Sequence, residues 1–259
     1  HPRLRRQVIS RAQLKHLRAL RLKKVREREG VLLVEGLHLV EEAVARGLAR
    51  AVFLTGECAR GGWGRRLAGG RAPVTEIEPR EAEALAETET PQGAFAVVED
   101  PVRPLEAASV ARDGVVLVAA GVADPGNLGT LVRTAAALGA AAVVVTAGTV
   151  EPTNPKAVRA SAGALFRVPV LRGEIRALKD AGFRVLVADA RGKPVSSMRV
   201  RAPRTALVVG NEPHGVDAWT RGLADAIVGV PIAEGVDSLN VAVAAGILLF
   251  ALRALPVPR

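Results

Sequence analysis

The stretch TALVVGNEPHGV, Thr205–Val216, runs an apolar segment straight into a polar loop. A strand without polar alternation is buried on both faces, and such strands belong to parallel sheets covered by helices. Four further runs share this pattern: VVLVAA (Val115–Ala120), AAVVVTA (Ala141–Ala147), FRVLVAD (Phe183–Asp189) and AIVGVPI (Ala226–Ile232). Helical segments lie between most of them, so the expected fold class is α/β with a mostly parallel sheet. Ligands of such sheets bind in loops beyond the carboxyl ends of the strands, which is where chemistry is to be sought.

Upstream the pattern changes. Ser10–Glu29 has helical composition and reads as one basic helix. It is followed by an apolar strand at Val31–Gly36, a helix at Leu37–Arg46, and short strands at Arg50–Thr55, Ala72–Ile77 and Gly93–Val98. The expected organisation is a small α/β domain over residues 1–98, a linker over 99–113 with two prolines and no period, and a second domain over 114–259.

Composition narrows the function. The formal net charge is +10, and through Arg28 eleven Lys and Arg stand against one acid, Glu27. That is the electrostatic footprint of a protein that meets a polyanion. There is no Tyr and aromatics are 3% of the chain, so any nucleic acid is expected to be held through phosphates, sugars and shape rather than by base stacking. One cysteine, Cys58, allows no internal disulfide and fits a reducing cytoplasm. No metal site is expected. The longest apolar run, Val241–Leu252, is shorter than the roughly 20 residues of a spanning helix, so no membrane segment is expected.

Three loops at expected strand ends carry polar residues. In GVADPGNLGTLVRTAAALGA, Gly121–Ala140, the glycines fall at 121, 126 and 129, which is not the G-x-G-x-x-G of a dinucleotide site. Asp124-Pro125-Gly126 reads as a turn and Asn127 as a helix cap, leaving Arg133 unexplained on a helix of Leu, Val and Ala. In VVGNEPHGV, Val208–Val216, a glycine at the strand tip lets backbone approach a ligand, with Asn211 and Glu212 beside it. In VPIAEGVDSLNVAVAAG, Val230–Gly246, Ile232 and Leu239 offer apolar surfaces for a flat ring, and Ser238 and Asn240 offer polar groups near them. VDSLNVAVAAGILLF, Val236–Phe250, reads as a helix, with Asp237 as a turn or cap residue.

Taken in order, Asn127-x-Gly129-x-x-x-Arg133, Gly210-Asn211-Glu212-x-x-Gly215 and Pro231…Ser238-Leu239-Asn240-Val241 resemble the three motifs of the SpoU or TrmH family of RNA ribose methyltransferases, within the SPOUT superfamily. The segment LLVEGLHLVEEAVARG, Leu32–Gly47, is similar to the ribosomal-protein-like substrate-binding domain of members that modify ribosomal RNA. The resemblance implies a C-terminal SPOUT domain with a deep trefoil knot, a homodimer through that domain, and S-adenosylmethionine as cofactor. It places Gly210, Asn211, Ile232, Ser238, Leu239 and Ala188 at the cofactor, and Arg133, Asn127, Glu212, Ser238 and Asn240 at the reaction.

The reaction so implied is an in-line transfer of a sulfonium methyl group to a ribose 2′-hydroxyl, most naturally of large-subunit ribosomal RNA. Alignment of oxygen, carbon and sulfur then supplies much of the rate. A guanidinium carries no lone pair to accept a proton, so positioning and charge stabilisation are the roles expected of Arg133. Arg5, Arg6, Arg11, Lys15, Lys23 and Lys24 are expected RNA contacts. Arg159 and Ser161, in VRASAGALF, match a family segment near the RNA-facing side, though an ordinary charged surface helix reads equally well there. The competing readings are a methyltransferase of this fold acting on transfer-RNA ribose or on a base nitrogen, and a non-catalytic RNA-binding protein of ribosome assembly.

Overall fold

The structure is a computed structural model that describes residues 5–6, 9–67, 70–106, 110, 114–198, 204–211 and 215–254. Its packing divides the chain into two units, His1–Pro101 with Thr153–Phe166, and Val102–Pro152 with Arg167–Arg259.

In chain order the first part holds β1 (Arg5–Arg6), α1 (Arg11–Ala19), α2 (Lys23–Glu29), β2 (Val31–Glu35), α3 (Leu37–Ala45) and β3 (Ala49–Thr55). Then come α4 (Gly56–Arg60), α5 (Gly62–Leu67), β4 (Val74–Ile77), α6 (Pro79–Leu85) and β5 (Ala94–Glu99). The sheet order is β1-β4-β3-β5-β2, parallel from β1 to β3 and antiparallel at β5. Leu17, Leu20, Phe53, Ile77, Leu85 and Phe95 pack in its core.

The single helix expected over Ser10–Glu29 is two helices, broken at Leu20–Leu22. Ser10 and Gln13 cap α1 reciprocally, the Gln13 N–H donating to Ser10 Oγ and the Ser10 N–H to Gln13 Oε1, both at 3.1 Å. At the break, long-range partners take over. The Arg21 guanidinium donates to the carbonyls of Leu85 (2.5 Å) and Ala86 (2.6 Å), at the end of α6. Arg26, only 4% exposed, donates to the carbonyl of Leu20 at 3.3 Å and to that of Arg21. Two of the eleven basic residues therefore satisfy backbone carbonyls, Arg26 at the break between the helices and Arg21 at the end of α6.

The rest of the chain holds β6 (Arg103–Pro104), β7 (Gly114–Ala119), α7 (Pro125–Ala137), β8 (Ala142–Val145), α8 (Pro155–Ala160), β9 (Val170–Arg172) and α9 (Ile175–Asp180). It continues with β10 (Arg184–Pro194), β11 (Arg204–Val209), α10 (Ala218–Gly222), β12 (Ala226–Gly229) and α11 (Val241–Ala254). Seven strands, all paired in parallel, stand in the order β12-β10-β11-β7-β8-β9-β6. Val116, Val118, Val144, Val185, Val187 and Val208 pack in the core on one side, as unbroken apolar strands require. The stretch expected as a linker supplies the edge strand β6, whose neighbour Leu105 donates its N–H to the carbonyl of Arg172 at 2.8 Å. A proline there is tolerated because an edge strand need not donate on both sides.

Replacing Arg26 with Met should destabilise the fold by about 2 kcal/mol, because buried carbonyls at the break lose their donor. Lys24→Met, at an exposed position of the same helix, should stay within about 0.5 kcal/mol. Urea unfolding of both variants checks this, and equal midpoints would refute it.

Candidate active site

The strands β7, β11, β10 and β12 end on one edge, and each end is made irregular by a particular residue. After β7, Gly121 takes φ +74° and donates its N–H to Thr149 Oγ1 at 2.9 Å, while that hydroxyl donates to the carbonyl of Ala119 at 2.9 Å. Asp124 caps α7, its Oδ1 accepting from the N–H of Asn127 at 2.8 Å, with Pro125 in the first turn. The cap is Asp124 and not Asn127. The Asn127 side-chain Oδ1 accepts from Asn240 Nδ2 at 3.0 Å.

Asn240 answers for the start of α11. Its Oδ1 accepts from the N–H groups of Ala242 (2.9 Å) and Val243 (3.3 Å), so the helix begins at Val241 and not at Val236. Asp237 is exposed and does not cap. One amide thus caps α11 with its oxygen and holds Asn127 of α7 with its nitrogen. The helices run side by side in one direction: Asn127 meets Asn240, Thr134 lies against Gly246, and Arg253 donates to the carbonyl of Leu138.

Beside this junction lies a cavity of about 500 Å3. Its wall includes Ala188, Gly210, Asn211, Ile232, Ser238 and Leu239, the six residues placed at the cofactor by resemblance. Main chains approach closely around it. A Cβ on Gly210 would lie 2.3 Å from the carbonyl carbon of Gly215, and Asn211 and Gly215 exchange backbone hydrogen bonds of 3.0 and 2.8 Å. A Cβ on Gly229 would lie 2.6 Å from the Asp189 carbonyl oxygen, and one on Gly192 would lie 2.4 Å from the Val228 carbonyl carbon.

Of the wall contributed by β10, sequence reading named Ala188 and missed Asp189, Ala190 and Arg191. Its register against β12 jumps from Ala188 opposite Val228 to Lys193 opposite Val228, pushing Asp189–Gly192 out of the ladder. Asp189, Ala190 and Arg191 line the cavity. Asp189 Oδ1 accepts from the Arg191 N–H at 2.8 Å, and Oδ2 accepts from the Arg221 guanidinium. The Arg191 N–H first, then Arg221, hold this carboxyl below the usual carboxylate range. An acidic residue followed by a small one and a glycine two positions later was the available signal, and it looked like an ordinary strand end.

Asn127, Arg133 and Asn240 are not among the lining residues. Arg133 is exposed on α7 and makes no hydrogen bond or ion pair among the described residues. It shares an exposed stripe with Thr130 and Ala137, while α11 exposes Val243, Ile247 and Phe250 at 52%, 42% and 66%. At 100° per residue, both stripes turn to the same side of the helix pair. Glu212 lies outside the described residues.

Of the expected RNA contacts, Arg11, Lys15 and Lys24 are exposed, and Lys23 is exposed but paired with Glu27 at 3.7 Å. Arg5 and Arg6 form β1, and their side chains lie outside the described residues. Arg159 is bound to Glu87 at 2.5 Å, and Glu87 is also 3.2 Å from Arg21. Ser161 is 1% exposed and donates to the carbonyl of Val158 at 2.7 Å, so it is a core residue and not an RNA-facing one. Among the described residues no group of three His, Cys, Asp or Glu side chains is arranged to hold a metal, and no helix is long and apolar enough to cross a membrane.

The fold is shared with solved rRNA methyltransferases. The family model described as "SpoU rRNA Methylase family" matches residues 114–250, and the chain belongs to that family. A second model, "MRM3-like substrate binding domain", matches residues 11–96. The chain is 36% identical to the 23S rRNA (guanosine(2553)-2'-O)-methyltransferase RlmP of Bacillus subtilis, over 93% of this chain and 96% of that one. It is 32% identical to the 23S rRNA (uridine(2479)-2'-O)-methyltransferase of Streptomyces viridochromogenes, over 87% and 83%. The AdoMet-bound rRNA methyltransferase from Sinorhizobium meliloti superposes with TM-score 0.84 at 27% identity, covering 95% of this chain and 97% of that one. The SpoU methyltransferase AviRb from Streptomyces viridochromogenes with AdoMet gives 0.83 at 30%, covering 94% and 98%.

Asn240→Ala should lower stability by about 1 kcal/mol through loss of the α11 cap, whereas Asn240→Asp keeps a capping oxygen and should stay within about 0.5 kcal/mol. Urea denaturation of the two variants separates the cap from the Asn127 contact. Equal losses would show that the contact with Asn127 dominates.

Proposed function

We propose that this protein transfers the methyl group of S-adenosylmethionine to a ribose 2′-hydroxyl of ribosomal RNA. The observation that carries the reading is one cavity walled by the second and third motif loops and the β10 bulge, beside the Asn127–Asn240 contact of the first motif, in a chain of the SpoU family. The cavity suits the cofactor. Its size is in the range of small-molecule sites, its backbone approaches need glycine at 210 and 229, and Ile232 and Leu239 are apolar beside the polar Ser238 and Asn211.

The cofactor supplies an electrophilic methyl group on a cationic sulfonium. The protein supplies alignment and charge. Asn127 and Asn240, joined across the starts of α7 and α11, orient the reacting end of the site, and Ser238 holds the loop at its wall. Glu212 belongs to the same centre by its place in the second motif. Arg133 engages an RNA phosphate and stabilises the charge that grows on the ribose oxygen as it attacks.

An exposed apolar stripe on α11 next to Arg133 supports a homodimer through this unit, since such stripes on soluble proteins mark contact surfaces. A second copy covering Val243, Ile247 and Phe250 also brings Arg133 out of bulk water. The trefoil knot is proposed from membership of the SpoU family. Residues 1–98 bind RNA through Arg11, Lys15 and Lys24, residues 114–259 carry the reaction, and 99–113 join them. An RNA substrate and a single cysteine fit a cytoplasmic setting.

Arg133→Ala should keep S-adenosylmethionine affinity within about twofold, by calorimetry, and lower methyl transfer to ribosomal RNA at least about 100-fold. Nucleoside digestion and mass spectrometry of the wild-type product should show a 2′-O-methylnucleoside. Near-normal turnover by the variant removes the role of Arg133, and a base-methylated nucleoside removes the acceptor. Ile247→Glu should halve the mass seen by sedimentation, because a charge would be buried at the dimer contact. A wild-type protein that sediments as a monomer overturns the dimer.

A further inference from the structure

Among the described residues that line the cofactor cavity, the charged side chains are Asp189 and Arg191. Neither belongs to the three motifs. Asp189 is held unusually firmly for a residue at a strand irregularity. Its main chain is pressed against β12, where a Cβ on Gly229 would sit 2.6 Å from the Asp189 carbonyl oxygen. Its two carboxylate oxygens accept from different elements, Oδ1 from the Arg191 N–H at 2.8 Å and Oδ2 from Arg221 on α10. The side chain is 23% exposed. Each oxygen retains a second lone-pair direction, so the group can accept two further hydrogen bonds and, being ionised, donates none.

Position decides which part of the ligand meets it. β10 stands between β12 and β11 in the sheet. The apolar surfaces that suit the flat adenine ring are Ile232, which follows β12, and Leu239, and the close backbone at Gly210 follows β11, so both neighbours of β10 contribute to that part of the wall. The reacting end lies elsewhere, at the Asn127–Asn240 junction of α7 and α11. Asp189 is therefore at the nucleoside end of the cavity. The nucleoside carries two adjacent hydroxyl donors, and an acidic side chain beyond a strand end receives ribose hydroxyls in other nucleotide sites of parallel sheets.

We propose that the Asp189 carboxylate accepts hydrogen bonds from the ribose hydroxyls of the cofactor's adenosine, making the intact 2′,3′-diol a condition of tight binding. This rests on the cofactor reading given above. Arg221 and the Arg191 N–H are the positioning groups: they set the carboxylate in place before the ligand arrives, which limits the ordering cost of binding. The residue acts on affinity and on selection of the ribose form. It takes no part in moving the methyl group.

The test is calorimetric titration of the full-length protein with S-adenosylhomocysteine and with its 2′-deoxy and 3′-deoxy analogues. The wild type should bind each analogue about tenfold more weakly than the parent, the size of one lost charge-assisted hydrogen bond. Asp189→Ala should bind the parent about tenfold more weakly and should separate parent from analogues by less than about twofold. A variant that weakens all three ligands and keeps the full preference overturns the proposal, since the residue is then merely structural. The wild-type comparison alone also decides, without any variant: analogues that bind as tightly as the parent overturn it. A wild type that binds none of the three ligands removes the cofactor reading itself, which is a different result from binding without preference.

Discussion

Three glycines, at 192, 210 and 229, let main chain approach main chain at distances that no Cβ tolerates. The rest of the site depends on those approaches. They lie at the ends of β10, β11 and β12, all of which contribute to one cavity. A wall of backbone offers donors and acceptors whose positions are fixed by the sheet, so a ligand is met by groups that need no ordering. Substituting a larger residue at these points would move a strand end rather than a side chain, because the neighbouring atoms are backbone.

The second constraint is the division of capping work between α7 and α11. Had Asn127 capped α7, its amide oxygen would have been spent on its own backbone. Asp124 does that instead, and Asn127 becomes available to Asn240, which in turn caps α11 with its other amide atom. Two helix starts are locked together through one hydrogen bond, and the exposed faces of both helices are presented to one side. Arg133 and the stripe of Val243, Ile247 and Phe250 are consequences of that parallel packing.

Long strands buried on both faces were legible because each is an unbroken apolar run, and the three loops were legible because polar residues stand at their ends. Part of what sequence hid depends on long-range partners. The break at Leu20–Leu22 is made by Arg21 reaching the end of α6 and by Arg26 folding back, neither of which leaves a local signal. β6 and β9 are two and three residues long, too short to show a period. Ser161 looked polar and RNA-facing, but its hydroxyl is satisfied inside its own helix turn, which lets it be buried. Asp189 was hidden because its carboxylate acquires a place only when β10 bulges and α10 supplies Arg221.

The same long-range logic reshapes the charge argument. Eleven basic residues through Arg28 invite the idea of a uniformly cationic arm. In the folded unit Arg21 and Arg26 are tied to carbonyls, and Lys23 and Arg28 have acidic neighbours in Glu27 and Glu29. The exposed cations of α1 are Arg11, Lys15 and Arg18, spaced four and three residues apart, which sets them on one helical face opposite the buried Leu17. A stripe of that kind follows a phosphate backbone along one direction and does not wrap it. Since each neutralised phosphate contributes separately to the salt dependence of binding, a stripe of three or four cations implies a much shallower dependence than the raw count of eleven would. If the first unit takes RNA as proposed, this helix serves orientation more than brute attraction.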